Sequence, residues 1–213
     1  GAKALTGSFD GTAKLWAAAD GRLLTTFVGH EGPVRAVAFS PDGTKVLTGS
    51  ADRTASLWSV ESGQELARYS GHGDWVVSVA ISPDGARVLT GGVDGTARLW
   101  PISGGEPLST FVGHSGAVWA AVFSPDGSRV VTSSADGTAK LWSTPYGGLQ
   151  ATLYEHGDVV EAARFSSDGD TVLTASYDGV VKLWQASTST ELASFGSAEP
   201  EAIPPVFSSD GTK

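Results

Sequence analysis

The chain contains no cysteine and no methionine in its 213 residues. Without cysteine there can be no disulfide, no zinc–thiolate site and no thiol nucleophile, although the compartment stays open. Basic residues are scarce: 14 Lys and Arg stand against 23 Asp and Glu, a formal net charge of −9. Sequence-independent nucleic-acid binding and attachment to anionic membranes both need clustered Lys and Arg. Neither nucleic acid nor a membrane is therefore expected as a partner. No apolar run approaches the roughly 20 residues of a membrane span, and no secretory leader is visible. The expected location is cytoplasmic. With even an initiator Met missing, the chain is expected to be a processed product, an excised fragment or an engineered unit. Helical periodicity, low-complexity linkers and internal boundaries are absent too, so residues 1–213 are expected to form one domain.

What the chain does contain is a tryptophan that returns. Trp16, Trp58, Trp100, Trp142 and Trp184 follow one another at intervals of 42 residues without slippage. A fixed period of about 20–50 residues marks a repeat architecture, in which each unit needs its neighbours to bury its apolar face. One complete unit runs from Gly29-His30 through the alternating strand Val34–Phe39 and the turn Ser40-Pro41-Asp42-Gly43. Strands at 45–50, 54–58 and 64–69 then complete a four-stranded meander, rich in Thr, Val, Leu and Trp and broken only at turns. The Asp-Gly pairs at the same place in the other units, such as Asp10-Gly11, are hairpin signals because both residues tolerate positive φ. The pattern recurs from Gly71-His72, from Gly113-His114 and, altered, from Glu155-His156. It predicts units at 29–70, 71–112, 113–154 and 155–195.

The two ends are incomplete in complementary ways. Residues 1–28 hold the last three strands of a unit, and residues 196–213 hold the start of one. Ile203-Pro204-Pro205-Val206-Phe207 stands where a first strand belongs, and two prolines there make a poor or edge-like strand. Gly211-Thr212-Lys213 is in register with Gly1-Ala2-Lys3, five periods earlier. Joined, the ends predict a fifth sheet that closes a ring and removes open edges.

The combination of Gly-His, Ser-Pro-Asp-Gly and a Ser/Thr…Asp-Gly-Thr…Leu-Trp segment resembles the WD-repeat (WD40) β-propellers, and the style of the repeats resembles bacterial members. The resemblance covers essentially the whole chain. It implies an all-β propeller, here of five four-stranded antiparallel blades. The Asp that follows the family's Trp is replaced each time, by Ala17, Ser59, Pro101, Ser143 and Gln185. Five units is also fewer than the family's usual seven or so.

All four histidines, His30, His72, His114 and His156, share one repeat position. Eighteen residues after each comes a Thr, at Thr48, Thr90, Thr132 and Thr174, and 22 after each an Asp, at Asp52, Asp94, Asp136 and Asp178. A Thr-His-Asp set invites a catalytic reading. A catalytic set should occur once, in a pocket, whereas this one occurs four times at even spacing. The resemblance implies instead a buried hydrogen-bond chain in each blade, from Trp58, Trp100, Trp142 or Trp184 through Thr and His to Asp. Such a chain satisfies every buried polar atom. The fifth set, Thr6, Asp10 and Trp16, meets Ala198 where a His belongs, so the closing blade is expected to lack its network. The turn aspartates Asp42, Asp84, Asp126, Asp168 and Asp210 are read as turn formers, with a cation-binding rim as the alternative. Glu61, Glu65, Glu106 and Glu191 are assigned to solvated loops or outer strands.

Residues that break the repeat are the candidates for specificity. In WD-repeat proteins the positions three and five after the repeat His, and the one before the hairpin Asp, line a face where partners dock. Transferred here, the face holds Trp75, Trp119, Tyr177, Phe9, Arg35 and Glu161. Aromatics and Arg are enriched at binding hot spots. The alternative is that Trp75 or Trp119 packs into a neighbouring blade or fills the channel. The leading function is thus a scaffold that binds a protein or peptide, as a piece or regulatory domain of a larger protein, with no catalytic residues, metal or cofactor. A structural, oligomeric or engineered unit, associating through the terminal strands, is the alternative. A glycan-binding or glycosidase-like propeller is the remote one, since only Glu161 and Glu201 offer channel-facing acids for paired-carboxylate chemistry.

Overall fold

The computed structural model describes residues 2–154 and 156–196, and all regular structure there is antiparallel β. The first sheet has three strands in these residues: β1 (Lys3–Gly7), β2 (Thr12–Ala17) and β3 (Leu23–Val28). The second is β4 (Val34–Phe39), β5 (Lys45–Ser50), β6 (Thr54–Ser59) and β7 (Glu65–Ser70). The third is β8 (Val76–Ile81), β9 (Arg87–Gly92), β10 (Thr96–Pro101) and β11 (Ser109–Val112). The fourth is β12 (Val118–Phe123), β13 (Arg129–Ser134), β14 (Ala139–Ser143) and β15 (Leu149–Leu153). The fifth is β16 (Val160–Phe165), β17 (Thr171–Ser176), β18 (Val180–Gln185) and β19 (Glu191–Gly196). Each is a meander in which sequential strands pair. The expected closing segment, residues 197–213, lies outside the described residues.

Turn chemistry places the strand ends. Ser40 Oγ donates to Asp42 Oδ1 at 2.6 Å, and the same oxygen accepts the Thr44 amide at 2.9 Å. Gly43 follows at φ 67°, where a side chain would be strained. At the second hairpin four units use Gly at positive φ, but the second sheet places Arg53 there at φ 73°. The outer strand β7 starts one residue later than the alternation suggests. Gln64 is held in the turn by the Ser59 amide, which donates to its carbonyl at 2.9 Å.

The sheets pack face to face, and the periodic Trp makes that packing. Trp58 lies against Phe27 of the preceding sheet with ring centroids 5.8 Å apart. Trp100 meets Tyr69 at 5.7 Å and Trp142 meets Phe111 at 5.5 Å. Offset and tilted aromatic pairs of this kind add to the area they bury. Each of four apolar cores therefore straddles two sheets; one joins Leu47, Ala55 and Leu57 to Val76, Val88 and Trp100. At the far end Phe195 occupies the register of Phe27 but is 57% exposed, whereas Phe27 is 1% exposed. Trp16 at the opposite end is only half-buried.

The first strands β4, β8, β12 and β16 pack side by side and surround one cavity. Each carries a bulge at the same place. Val34 pairs with Ser50 and Ala36 with Gly49, so Arg35 has no cross-strand partner. The same skip leaves out Val77, Trp119 and Glu161.

Candidate partner-binding face

In four sheets the Trp, Thr, His and Asp side chains meet. In the second, Trp58 Nε1–H donates to Thr48 Oγ1 at 2.8 Å, Thr48 Oγ1 lies 2.7 Å from His30 Nε2, and His30 Nδ1 lies 2.8 Å from Asp52 Oδ2. The third repeats this with Trp100–Thr90 at 2.9 Å, Thr90–His72 at 2.8 Å and His72–Asp94 at 2.9 Å. The fourth does so with Trp142, Thr132, His114 and Asp136, each contact at 2.8 Å. In the fifth, Trp184–Thr174 is 2.9 Å, Thr174–His156 is 2.8 Å and His156–Asp178 is 3.2 Å. One donor order satisfies all these atoms: indole N–H to hydroxyl, hydroxyl O–H to a neutral imidazole Nε2, and Nδ1–H to carboxylate.

The electrostatics agree with a neutral ring. Burial pushes the His114 and His156 imidazoles below their ordinary value, against the pull of their aspartates. Burial would raise Asp136, but hydrogen bonds from Thr138 and His114 outweigh it and bring the carboxyl down to about 2. These histidine side chains are 1% exposed. No substrate could reach them, so the sets tie loops to strands and offer no nucleophile. The carboxylates of Asp42, Asp84, Asp126 and Asp168 likewise accept from the Ser and amides of their own turns; Asp210 lies outside the described residues. Among the described residues, no group of three or more His, Cys, Asp or Glu is arranged to hold a metal. Glu65 pairs with Arg68 at 2.7 Å, and Glu191 accepts from Lys182 at 2.7 Å.

The non-repeating residues gather on the face that carries the His loops. Arg35, Trp119 and Glu161 project from the bulges, and Trp75 immediately precedes β8. Together they line a cavity of about 730 Å³. Phe9 and Tyr177 sit in hairpin turns beside it. Tyr177 is fixed by its amide, which donates to the Val159 carbonyl at 3.0 Å. Trp75 is 43% and Trp119 40% exposed, so neither ring is absorbed into the core between sheets. The Arg35 guanidinium lies 4.6 Å from the Phe9 ring centroid and 4.7 Å from that of Trp75, an aromatic–cation–aromatic stack across three sheets. The negative charge of Glu161 raises the Tyr177 hydroxyl above its ordinary value, and a hydrogen bond to that carboxylate adds to the effect. Sequence reasoning missed Arg164, which lines the same cavity and also the pocket on the opposite rim. Its counterparts Ala80 and Val122 are apolar, and no turn or spacing signal marks it.

The fold and the four-residue networks define a WD-type repeat protein. A profile of the WD domain, G-beta repeat, matches residues 21–59, 63–101, 105–143 and 147–185, most of the chain, and the chain belongs to that family. Each match begins before the outer strand of one sheet and ends one residue past the Trp of the next, so every repeat stitches two sheets together. The Lissencephaly-1 homolog of Dictyostelium discoideum is 55% identical over 38 residues, 18% of this chain and 9% of that protein. The WD40 repeat-containing protein HOS15 of Arabidopsis thaliana is 56% identical over 36 residues, 17% of this chain and 6% of that protein. The matched stretches span less than a tenth of either relative. WD-repeat proteins are in general protein-interaction scaffolds and mostly non-catalytic. No helix among the described residues is long and apolar enough to cross a membrane.

Proposed function

We propose that the chain is a binding module that docks a peptide or protein segment on the His-loop face, over the cavity between Arg35, Trp75, Trp119 and Glu161. The observation that carries this reading is the position of those residues. Three of the four stand on bulges that the ladder does not use, and two large indoles are left exposed around a concave mouth. Exposed aromatics rimmed by polar groups are the usual composition of an interface core. The module serves within a larger regulatory protein, in the cytoplasm, without cofactor or catalysis. The test is binding of peptides selected on the intact chain. Trp75→Ala and Trp119→Ala are expected to abolish capture, and unchanged capture by both variants sinks the proposal.

The same proposal includes five blades closed by pairing of residues 203–207 with β1. Phe195 and Trp16 carry matching halves of the contact that Phe27 and Trp58 make, and burying them against each other removes apolar surface from water. A monomer by light scattering supports closure within one chain. A stable dimer or trimer assigns the two faces to contacts between copies, through the terminal strands.

A further inference from the structure

The cavity mouth has a polarity, and the polarity specifies its ligand. Going round the face, the order is Phe9, Arg35, Trp75, Trp119, then Glu161 with Tyr177. Arg68, Arg87 and Arg129 each place their guanidinium on a carboxylate or carbonyl, at Glu65, Asp84 and Gly169 respectively. Arg35 does neither. Its Cζ lies over two aromatic rings, and among the described residues it makes no hydrogen bond or ion pair. A stacked guanidinium is pre-organised, and what remains free is the fork that fits a carboxylate two-pronged. On the far side Glu161 stands beside Tyr177 and forms no ion pair among the described residues, while Arg164 of the same strand lines the cavity further toward the opposite rim. Between them the two indoles offer apolar, ring-stacking surface.

Resting on the docking proposal, we infer that the bound segment is an extended peptide of fixed order: a carboxylate side chain on Arg35, an aromatic or aliphatic residue over Trp75 and Trp119, and a Lys or Arg on Glu161. The chain's net charge of −9 argues against a ligand acidic throughout and for a single acidic anchor in an otherwise neutral or basic segment.

The test is selection of a randomised heptapeptide display library on the intact chain, beside Arg35→Gln, Glu161→Gln and the double variant Trp75→Ala/Trp119→Ala. Thermal melts first establish that each variant folds. Peptides enriched on the unaltered chain are expected to place Asp or Glu on one side of an apolar residue and Lys or Arg on the other. Arg35→Gln is expected to erase only the acidic preference, and Glu161→Gln only the basic one. A synthetic peptide of the enriched sequence should bind Arg35→Gln roughly ten- to a hundredfold more weakly, the range for a hydrogen bond to a charged group. Exchanging the charges, Arg35→Glu with Glu161→Arg, should favour the reversed order. If peptides enrich through the two Trp with no charge order, or an acidic preference survives Arg35→Gln, this inference is overturned and the docking proposal stands. If nothing enriches on the unaltered chain, both fail.

Discussion

The indole N–H of Trp16 donates to the Thr6 hydroxyl at 2.9 Å. The corresponding bonds at Trp58, Trp100, Trp142 and Trp184 have the same length to within 0.1 Å. In those four sheets the Thr is fully buried and continues to a His, whereas Thr6 is exposed. The periodic position that supplies the His elsewhere is Ala198, which has no ring nitrogen. The Trp–Thr bond therefore forms without the rest of the network.

Local opening should follow that difference, because exposed backbone with fewer anchored side chains opens at lower free energy. Hydrogen exchange is expected to be faster in the amides around Thr6 and Trp16 than around Thr132 and Trp142. Equal protection of the two regions would show that the Thr–His–Asp link adds no local stability.

Acid should weaken the fold in two stages. His114 and His156 bind protons more weakly in the folded chain than in the unfolded one. As pH falls below about 6.5 the unfolded chain takes up protons first, so stability declines from there until the folded imidazoles titrate. The carboxylates act in the same direction lower down: Asp136 loses its contribution as pH falls from 3.8 to about 2. Urea midpoints should be level above pH 7.5, drop between pH 6.5 and 5, and drop again below 4. A midpoint unchanged between pH 7.5 and 5 would mean the imidazoles are protonated at little cost.

Arg53 holds a left-handed conformation, φ 73°, at a position where the other hairpins use Gly. That conformation costs an L-residue about 1–2 kcal/mol, and the extra freedom of Gly in the unfolded chain takes back about half. Arg53→Gly should gain about 0.5–1 kcal/mol, raising Tm by roughly 1–4 °C in calorimetry. A lower Tm would reveal a favourable contact of the Arg side chain that outweighs the strain.

The two kinds of Trp should separate cleanly in melts. Trp100 is 1% exposed and Trp75 43%. Trp100→Ala leaves a cavity and should cost about 3–5 kcal/mol, whereas Trp75→Ala and Trp119→Ala should each cost under about 1 kcal/mol. Comparable losses in all three would make the exposed rings packing elements, not recognition elements.

The fold was legible in the sequence wherever a residue is demanded once per unit. The Trp, the Thr–His–Asp set and the Pro-Asp-Gly turns recur because every sheet needs the same hydrogen bonds and turns. The site was legible only as a set of exceptions, Trp75 and Trp119 above all. The bulges depend on cross-strand register, which no single strand displays. The Phe9–Arg35–Trp75 stack joins residues from three sheets, and nothing in their spacing announces contact. Arg164 was missed for the same reason: it follows the alternation of β16 as an apolar residue would.

The bulge has an evolutionary consequence. Because the ladder skips one residue there, no neighbouring strand inspects that side chain, and Arg35, Val77, Trp119 and Glu161 occupy equivalent positions in successive units. Shape and recognition are written in different letters of the same repeat. A lineage that duplicates such units inherits a ring of positions free to drift, so new specificities can arise there without passing through unstable intermediates.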